Sequence, residues 1–196
     1  MKQSAYGNIR QTAADGEVER YVEEIGLRGF TIIKDLIAAD ELIIWREKID
    51  RIYEQQEKEF GRDALAAIQE LDICRAPLLY DFDFIKLAIH HRFLPIIRAV
   101  LGDWFVLNLQ NAIINRPQAG HHQSSWHRDL PYQNYVISKP LAINVLLAID
   151  EFSDETGGTL VLPFTHKCEM LPSESYIDAN RQVVAATAGS ATVFGS

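Results

Sequence analysis

The first half of the chain carries the apolar spacing of amphipathic helices. Apolar residues recur there at three- and four-residue steps, with charged residues between them. The spacing predicts a first helix that is capped by Asp15 and ended by Gly26. A second, longer helix is predicted to begin at a cap on Asp40. Pro95 is the predicted start of a further helix, which Gly102 ends.

From residue 104 onward, short apolar segments are separated by turn signals, and no helical spacing is seen between them. Strands are predicted over residues 106–115, 141–149, 159–162, 183–186 and 190–194, and one more over 29–34 in the first half. Strands that follow one another without helices favour an antiparallel barrel or jelly roll over a parallel sheet. We therefore expect one mainly β domain over residues 1–196, helix-rich over 1–103 and with its β core over 104–196. The helices are expected to pack on the outside of the β core.

The composition is that of an ordinary globular protein, 47% hydrophobic and 23% charged. The net charge of −8 disfavours nucleic acid and an anionic membrane surface as partners. The two cysteines, Cys74 and Cys168, have no zinc-ligand spacing, and two unlinked thiols are favoured over a disulfide. No signal peptide is recognised, and no apolar run approaches the ~20 residues of a membrane span. The sequence therefore predicts a cytoplasmic protein.

Candidate chemistry concentrates in residues 121–129, which hold three of the six histidines and one carboxylate. His127 and Asp129 are two positions apart, and on a strand such residues face the same side, roughly 6–7 Å apart. An imidazole and a carboxylate can supply two corners of the 2-His-1-carboxylate set that binds Fe(II) and leaves positions open for substrate and O₂. Two alternatives stay open: a zinc hydrolase using His127, Asp129 and His166, and a non-catalytic cupin-like binding protein with a decayed metal site. His121 and His122 are expected to be exposed to solvent.

Four segments occur in an order that is more specific than any one of them. Trp126-His127-Arg128-Asp129, followed by Tyr132, has the pattern W-H-x-D. The other three are GLRGFTII over 26–33, TGGTLVLPFTHK over 156–167 and GSATVF over 189–194. Together they resemble the opening strand, the iron-binding signature, the P-x-x-H-K segment and the G-D-x-x-x-F strand of the phytanoyl-CoA dioxygenase family of Fe(II)/2-oxoglutarate oxygenases.

The resemblance implies a double-stranded β-helix (jelly roll, cupin-like) in which His127 and Asp129 bind iron. It implies Fe(II), 2-oxoglutarate and O₂ as cofactor and cosubstrates, and a small molecule as substrate. The enzyme would hydroxylate that substrate while 2-oxoglutarate is converted to succinate and CO₂. Gln110 matches a 2-oxoglutarate contact of the family. Asn144 is a second candidate contact, although a satisfied core amide is an equal alternative for it.

Further residues show how far the chain follows the family pattern. His166 lies in the P-x-x-H-K element, which the family uses as a structural loop and not as a metal ligand. Asp129 retains the carboxylate that halogenating relatives replace, which favours hydroxylation. The family's distal iron histidine, and the arginine that pairs with 2-oxoglutarate, are expected in a C-terminal segment beyond Ser196; a natural fragment with an incomplete site is the alternative. Arg128 and Arg181 do not match that arginine.

Overall fold

A computed structural model describes residues 13–116, 125–130 and 136–196. His121, His122 and Tyr132 of the sequence analysis lie outside these residues. The helices of the first half are α1 (Glu17–Arg28), α2 (Ala39–Phe60), α3 (Arg62–Ala67), α4 (Ile85–Ala88) and α5 (Leu94–Leu101), with 3₁₀ turns at Pro77–Leu79 and Phe82–Phe84. Helix α6 (Glu174–Asn180) follows in the second half. The strands are β1 (Phe30–Ile33), β2 (Ile73–Arg75), β3 (Asn111–Ile113), β4 (Ile143–Leu147), β5 (Leu160–Val161), β6 (Gln182–Val183) and β7 (Ala191–Gly195).

The end of α1 differs from the prediction. Gly26 lies inside the helix, which ends at Gly29 instead. Gly29 takes the left-handed conformation, with φ of 91°, and donates its N–H to the carbonyl of Ile25. The N-cap is Gly16 rather than Asp15, and no side chain caps the helix. Both predicted boundaries were therefore wrong, by one residue at the start and three at the end.

The longer helices follow the predicted apolar stripe more closely. Helix α2 begins after Ala38, so Asp40 lies in its first turn and is not the cap. A carboxylate there still stabilises the helix, because it faces the positive end of the helix dipole. Helix α5 has Pro95 in its first turn and ends at Gly102, as predicted. None of the helices in the described ranges is long and apolar enough to cross a membrane.

Every strand pair in the described residues is antiparallel, as predicted. The largest sheet has the order β1-β7-β4, and two smaller sheets pair β2 with β3 and β5 with β6. Strand β1 lies in the helix-rich half where the strand over 29–34 was predicted, whereas β2 lies in a stretch where no strand was predicted. Helix α6 lies between β5 and β6, in a stretch where no helix was predicted, because seven residues are too few to show a helical period.

The three-stranded sheet has two faces with different surroundings. On one face, Ile33, Val145 and Val193 join the large apolar core that the helices of the first half complete. On the other face, Phe30 and Phe194 pack in a smaller apolar cluster. This second cluster also contains Ile32, Ala148, Phe152, Val161, Val184 and Ala186. Alternate residues of a strand face opposite sides, so one strand serves both clusters.

The candidate site lies on the side of the sheet that faces away from the helices. Asn144 of β4 is directly opposite Phe194 of β7, and cross-strand partners share a face. Ser196, two residues after Phe194, continues along that face and bonds through its backbone to Ala142. The register of β4 against β7 therefore presents Asn144 and Ser196 on the side opposite the helical core.

Candidate metal centre

The side chains of His127 and Asp129 face each other. His127 Nε2 and Asp129 Oδ1 are 4.0 Å apart, and both side chains are partly exposed. The backbone over 125–130 is irregular and is not a strand, and Leu130 has a positive φ of 61°. The predicted convergence of the two side chains is found, although the strand geometry from which it was argued is not.

The tautomer of His127 follows from its hydrogen bond. Its Nδ1 lies 2.7 Å from the carbonyl oxygen of Ser125. A carbonyl only accepts, so Nδ1 carries the proton, and in the neutral ring Nε2 presents its lone pair towards Asp129. This backbone contact is of the kind that orients metal-binding histidines.

Hydrogen bonds from the sheet side hold the carboxylate of Asp129 in place. Its Oδ2 accepts hydrogen bonds from Asn144 Nδ2 at 3.3 Å and from Ser196 Oγ at 3.4 Å. The other oxygen, Oδ1, is the one that faces His127. Asn144, predicted as a 2-oxoglutarate contact or a core amide, thus touches the carboxylate itself. The sequence analysis missed Ser196, although the alternation of Phe194 and Ser196 along β7 is a signal that places it on the same face.

The two donors are of the chemical kind that the predicted metal ion prefers. Nε2 and Oδ1 are both acceptors, and two acceptors that face each other favour a positive charge between them, either a proton or a metal ion. Donors that each lie about 2.0–2.2 Å from one ion are about 3 Å apart at the right angle of a facial set, so the 4.0 Å between Nε2 and Oδ1 has to shorten by about 1 Å when an ion binds. Within the described residues, no group of three or more His, Cys, Asp or Glu could hold a metal ion. The described residues thus offer two donors and not a complete site.

His166 does not join this pair. Its ring packs against Gly29 at the end of α1, where a Cβ added to the glycine would lie 2.9 Å from His166 Cγ. Both ring nitrogens are buried without a hydrogen-bond partner in the described part of the chain. Burial lowers the pKa of His166, and neighbouring Lys167 lowers it further. The zinc site of His127, Asp129 and His166 is therefore wrong, because those residues form no metal-binding group among the residues described.

Gln110 contacts the helical half of the chain. Its Nε2 donates to the carbonyl of Phe84 at 3.0 Å, and its Oε1 is buried without a partner in the described residues. Neither of these contacts involves His127 or Asp129. The structure thus brings His127, Asp129 and Asn144 together and gives Gln110 a separate hydrogen bond.

The two cysteines are unlinked, as predicted. Cys74 is buried within the core of the helical half, and Cys168 is exposed. Burial raises the pKa of the Cys74 thiol to about 11.

An imidazole and a carboxylate are two of the three protein donors of the facial triad that non-haem Fe(II) oxygenases use. The chain belongs to the phytanoyl-CoA dioxygenase (PhyH) family, whose model matches residues 27–196. The family that the sequence motifs indicated is confirmed.

Among curated relatives, the uncharacterized protein Rv1501 of Mycobacterium tuberculosis is 30% identical over 177 residues. The match covers 86% of this chain and 63% of that protein. The chain therefore spans less than two thirds of the length of the curated relatives that it matches.

Two solved structures show a similar fold. EctD from S. alaskensis, determined with 2-oxoglutarate and 5-hydroxyectoine, has a TM-score of 0.65 at 15% identity, over 97% of this chain and 71% of that one. The epimerase SnoN, in complex with Fe³⁺, alpha ketoglutarate and nogalamycin RO, has a TM-score of 0.59 at 15% identity. That match covers 91% of this chain and 73% of SnoN. At these identities the likeness shows a shared fold.

Proposed function

We propose that the chain is part of a non-haem Fe(II)/2-oxoglutarate-dependent dioxygenase in which His127 and Asp129 bind the iron. The observation that carries this proposal is the approach of Nε2 and Oδ1 to 4.0 Å. The pair lies inside the region that matches the family. The iron-containing SnoN and the 2-oxoglutarate-containing EctD share the fold and support the choice of cofactor and cosubstrate.

The residues around the proposed iron position each have a distinct role. His127 offers Nε2, because its Nδ1–H donates to the carbonyl of Ser125. Asp129 offers one oxygen, while Asn144 and Ser196 occupy the other and fix the rotation of the carboxylate. When bound, iron would supply the activation of O₂ with 2-oxoglutarate, whose oxidative decarboxylation gives succinate and CO₂. The protein determines where the donors stand and how the carboxylate is turned.

Hydroxylation of a small molecule is the proposed outcome. Asp129 keeps the carboxylate that halogenating relatives lack, and the family's name is that of a dioxygenase. SnoN is an epimerase, so the shared fold alone does not distinguish hydroxylation from epimerisation. We retain hydroxylation on the basis of the family and of the retained carboxylate, and a cytoplasmic location stays a prediction from the sequence.

We also propose that the three antiparallel sheets belong to one double-stranded β-helix, within a single domain. The two-faced β1-β7-β4 sheet supports this, because helices cover one face and the Phe30–Phe194 cluster with β5 and β6 covers the other. The proposed iron pair then lies towards the interior of the roll. Gln110 stays a predicted 2-oxoglutarate contact. Its Nε2 carries two N–H groups and donates one of them to the carbonyl of Phe84, so the second can donate to a carboxylate.

The test is an assay of iron-dependent succinate formation from 2-oxoglutarate by protein purified without oxygen. Asp129→Ala and His127→Ala should each abolish it, because each removes one of the two donors. Asp150→Ala is the matched control, since that aspartate is exposed and pairs with Arg46 away from the pair. Succinate formation that persists in Asp129→Ala without added halide would contradict the proposal.

Metal analysis of the same preparations separates the alternatives. Bound iron that is lost in His127→Ala supports the dioxygenase. Bound zinc without decarboxylation supports a hydrolase with another third ligand. Protein that binds no metal supports the non-catalytic binding module.

A further inference from the structure

Arg128, the residue between the two proposed ligands, bonds to a distant loop. Its Nη1 donates to the carbonyl of Cys168 at 2.6 Å, and its Nη2 donates to the carbonyl of Glu169 at 3.0 Å. His127 and Asp129 face each other, while the side chain between them reaches this loop. We propose that Arg128 is a positioning residue that fixes the spacing of the two iron donors, an inference that rests on the proposed function.

The contact is suited to this role by its chemistry. A guanidinium presents its donors in a rigid planar fork, so a single side chain binds two successive carbonyls at once. Hydrogen bonds from a charged donor are shorter and stronger than those between neutral groups. A lysine at this position could keep the charge but would lack the planar fork.

The carbonyls that Arg128 binds belong to a loop that is itself fixed. The N–H of Cys168 donates to Thr165, and the N–H of Phe164 donates to the carbonyl of Arg28 at the end of α1. Lys167 Nζ donates to the carbonyl of Gly26 in the same helix. Helix α1 in turn packs in the main apolar core through Ile25. The loop over 164–169 therefore connects Arg128 to the helical core.

The two proposed ligands are thus supported from two sides. Asp129 is held by Asn144 and Ser196 from the sheet, whereas Arg128 holds the intervening backbone against the loop. Among the described residues, 125–130 form an irregular backbone and no strand, so no described strand ladder fixes the pair. Side-chain anchors have to supply that constraint, and Arg128 is the one between the two donors.

The experiment measures metal affinity with Co²⁺, whose visible absorption reports both the affinity and the geometry of the site. Arg128→Met removes the guanidinium and keeps an unbranched side chain, and Arg128→Lys restores a charge. Arg181→Met is the matched control, because Arg181 is half-exposed and pairs with Asp178 on α6. We expect Arg128→Met to bind Co²⁺ about tenfold or more weakly, the order of loss seen when outer contacts of metal ligands are removed. Arg128→Lys should recover part of that loss, with an altered absorption band, and Arg181→Met should match the unaltered protein.

The outcomes separate this inference from the proposed function. Co²⁺ binding that is absent from the unaltered chain, or equal in His127→Ala, would overturn both, because there would be no ligand pair to position. Binding that depends on His127 but is unchanged in Arg128→Met would overturn the role of Arg128 alone. Amide hydrogen exchange of metal-free protein gives a second readout: exchange over 125–130 should be faster in Arg128→Met than in Arg181→Met, and equal rates would also overturn the inference. If Arg128→Met does not fold, the comparison rests on Arg128→Lys, whose affinity must then fall below that of the unaltered protein.

Discussion

Gly29, at the end of α1, packs against the loop that carries His166, and replacing the glycine with alanine tests this contact. Its φ of 91° is left-handed, a conformation that costs an L residue with a Cβ about 1–2 kcal/mol. An added Cβ would also lie 2.9 Å from both Cγ and Nδ1 of His166 and 3.1 Å from its Cβ. The ring is packed against the glycine, so relief requires the ring or the loop to move.

The crowding adds to the backbone cost. Forcing extra carbon into a packed interior typically costs about 1–3 kcal/mol, so Gly29→Ala should lower the free energy of unfolding by about 2–5 kcal/mol in total. Gly102 gives a comparison without crowding: it also ends a helix at a positive φ, of 92°, its ψ of −169° lies in a region that essentially only glycine adopts, and a Cβ there would meet nothing within 4 Å. Gly102→Ala should therefore cost about 1–3 kcal/mol from the backbone alone.

Urea denaturation followed by circular dichroism measures both changes under the same conditions. A double-mutant cycle with His166→Ala then isolates the clash, since Gly29→Ala should cost less in the His166→Ala background. A loss for Gly29→Ala of no more than about 1–2 kcal/mol, the backbone part alone, would refute the reasoning. So would a cycle in which the two changes are additive.

Two further predictions concern Gly189 and the cysteines. Gly189→Ala should abolish folding at 37 °C, because φ is 86° and an added Cβ would lie 2.3 Å from the carbonyl oxygen of Ile37; a thermal melt close to that of the unaltered protein would contradict this. In native protein at pH 8, Ellman's reagent should modify exposed Cys168 rapidly and buried Cys74 only after unfolding. Rapid modification of both thiols in the native protein would contradict the burial of Cys74. The pKa of Cys74 is raised to about 11 by burial, above the roughly 8.5 of an unfolded cysteine, so its contribution to stability is complete below about pH 8.5 and should be lost as pH rises towards 11.

The parts of the fold that the sequence predicts well are those set by local periodicity. The apolar stripe of α2 includes Trp45, Ile49 and Ile52, and all three are buried in the core as the spacing indicates. The end of α1 was predicted too early because two glycines, Gly26 and Gly29, follow the last apolar positions of the helix, and either residue can end a helix. The left-handed turn falls at Gly29 because β1 starts directly after it and pairs with β7, a contact between residues far apart in the sequence.

The supports of the candidate site depend on contacts of this long-range kind. Ser196 reaches Asp129 across 67 residues, and Arg128 reaches Cys168 across 40. Alternation along β7 places Ser196 on the face of the site, but no periodic signal pairs it with Asp129 or Arg128 with Cys168, because each contact depends on how a strand end or a loop is placed by the rest of the fold. The motif could therefore indicate the proposed ligands, but not the residues that hold them in place.

The His127–Asp129 pair shows why the motif alone is a weak signal. A strand would place the two side chains side by side at the spacing of the backbone, whereas here an irregular backbone brings Nε2 and Oδ1 to 4.0 Å. Asn144 turns the carboxylate, and Ser125 sets the tautomer of the imidazole. A His-x-Asp sequence without such contacts would have two freely rotating side chains and no reason to converge. In the proposed site, metal binding therefore depends on the sheet and the loop that surround the pair as much as on the two ligands, and this is why substitutions of the supporting residues test the site directly.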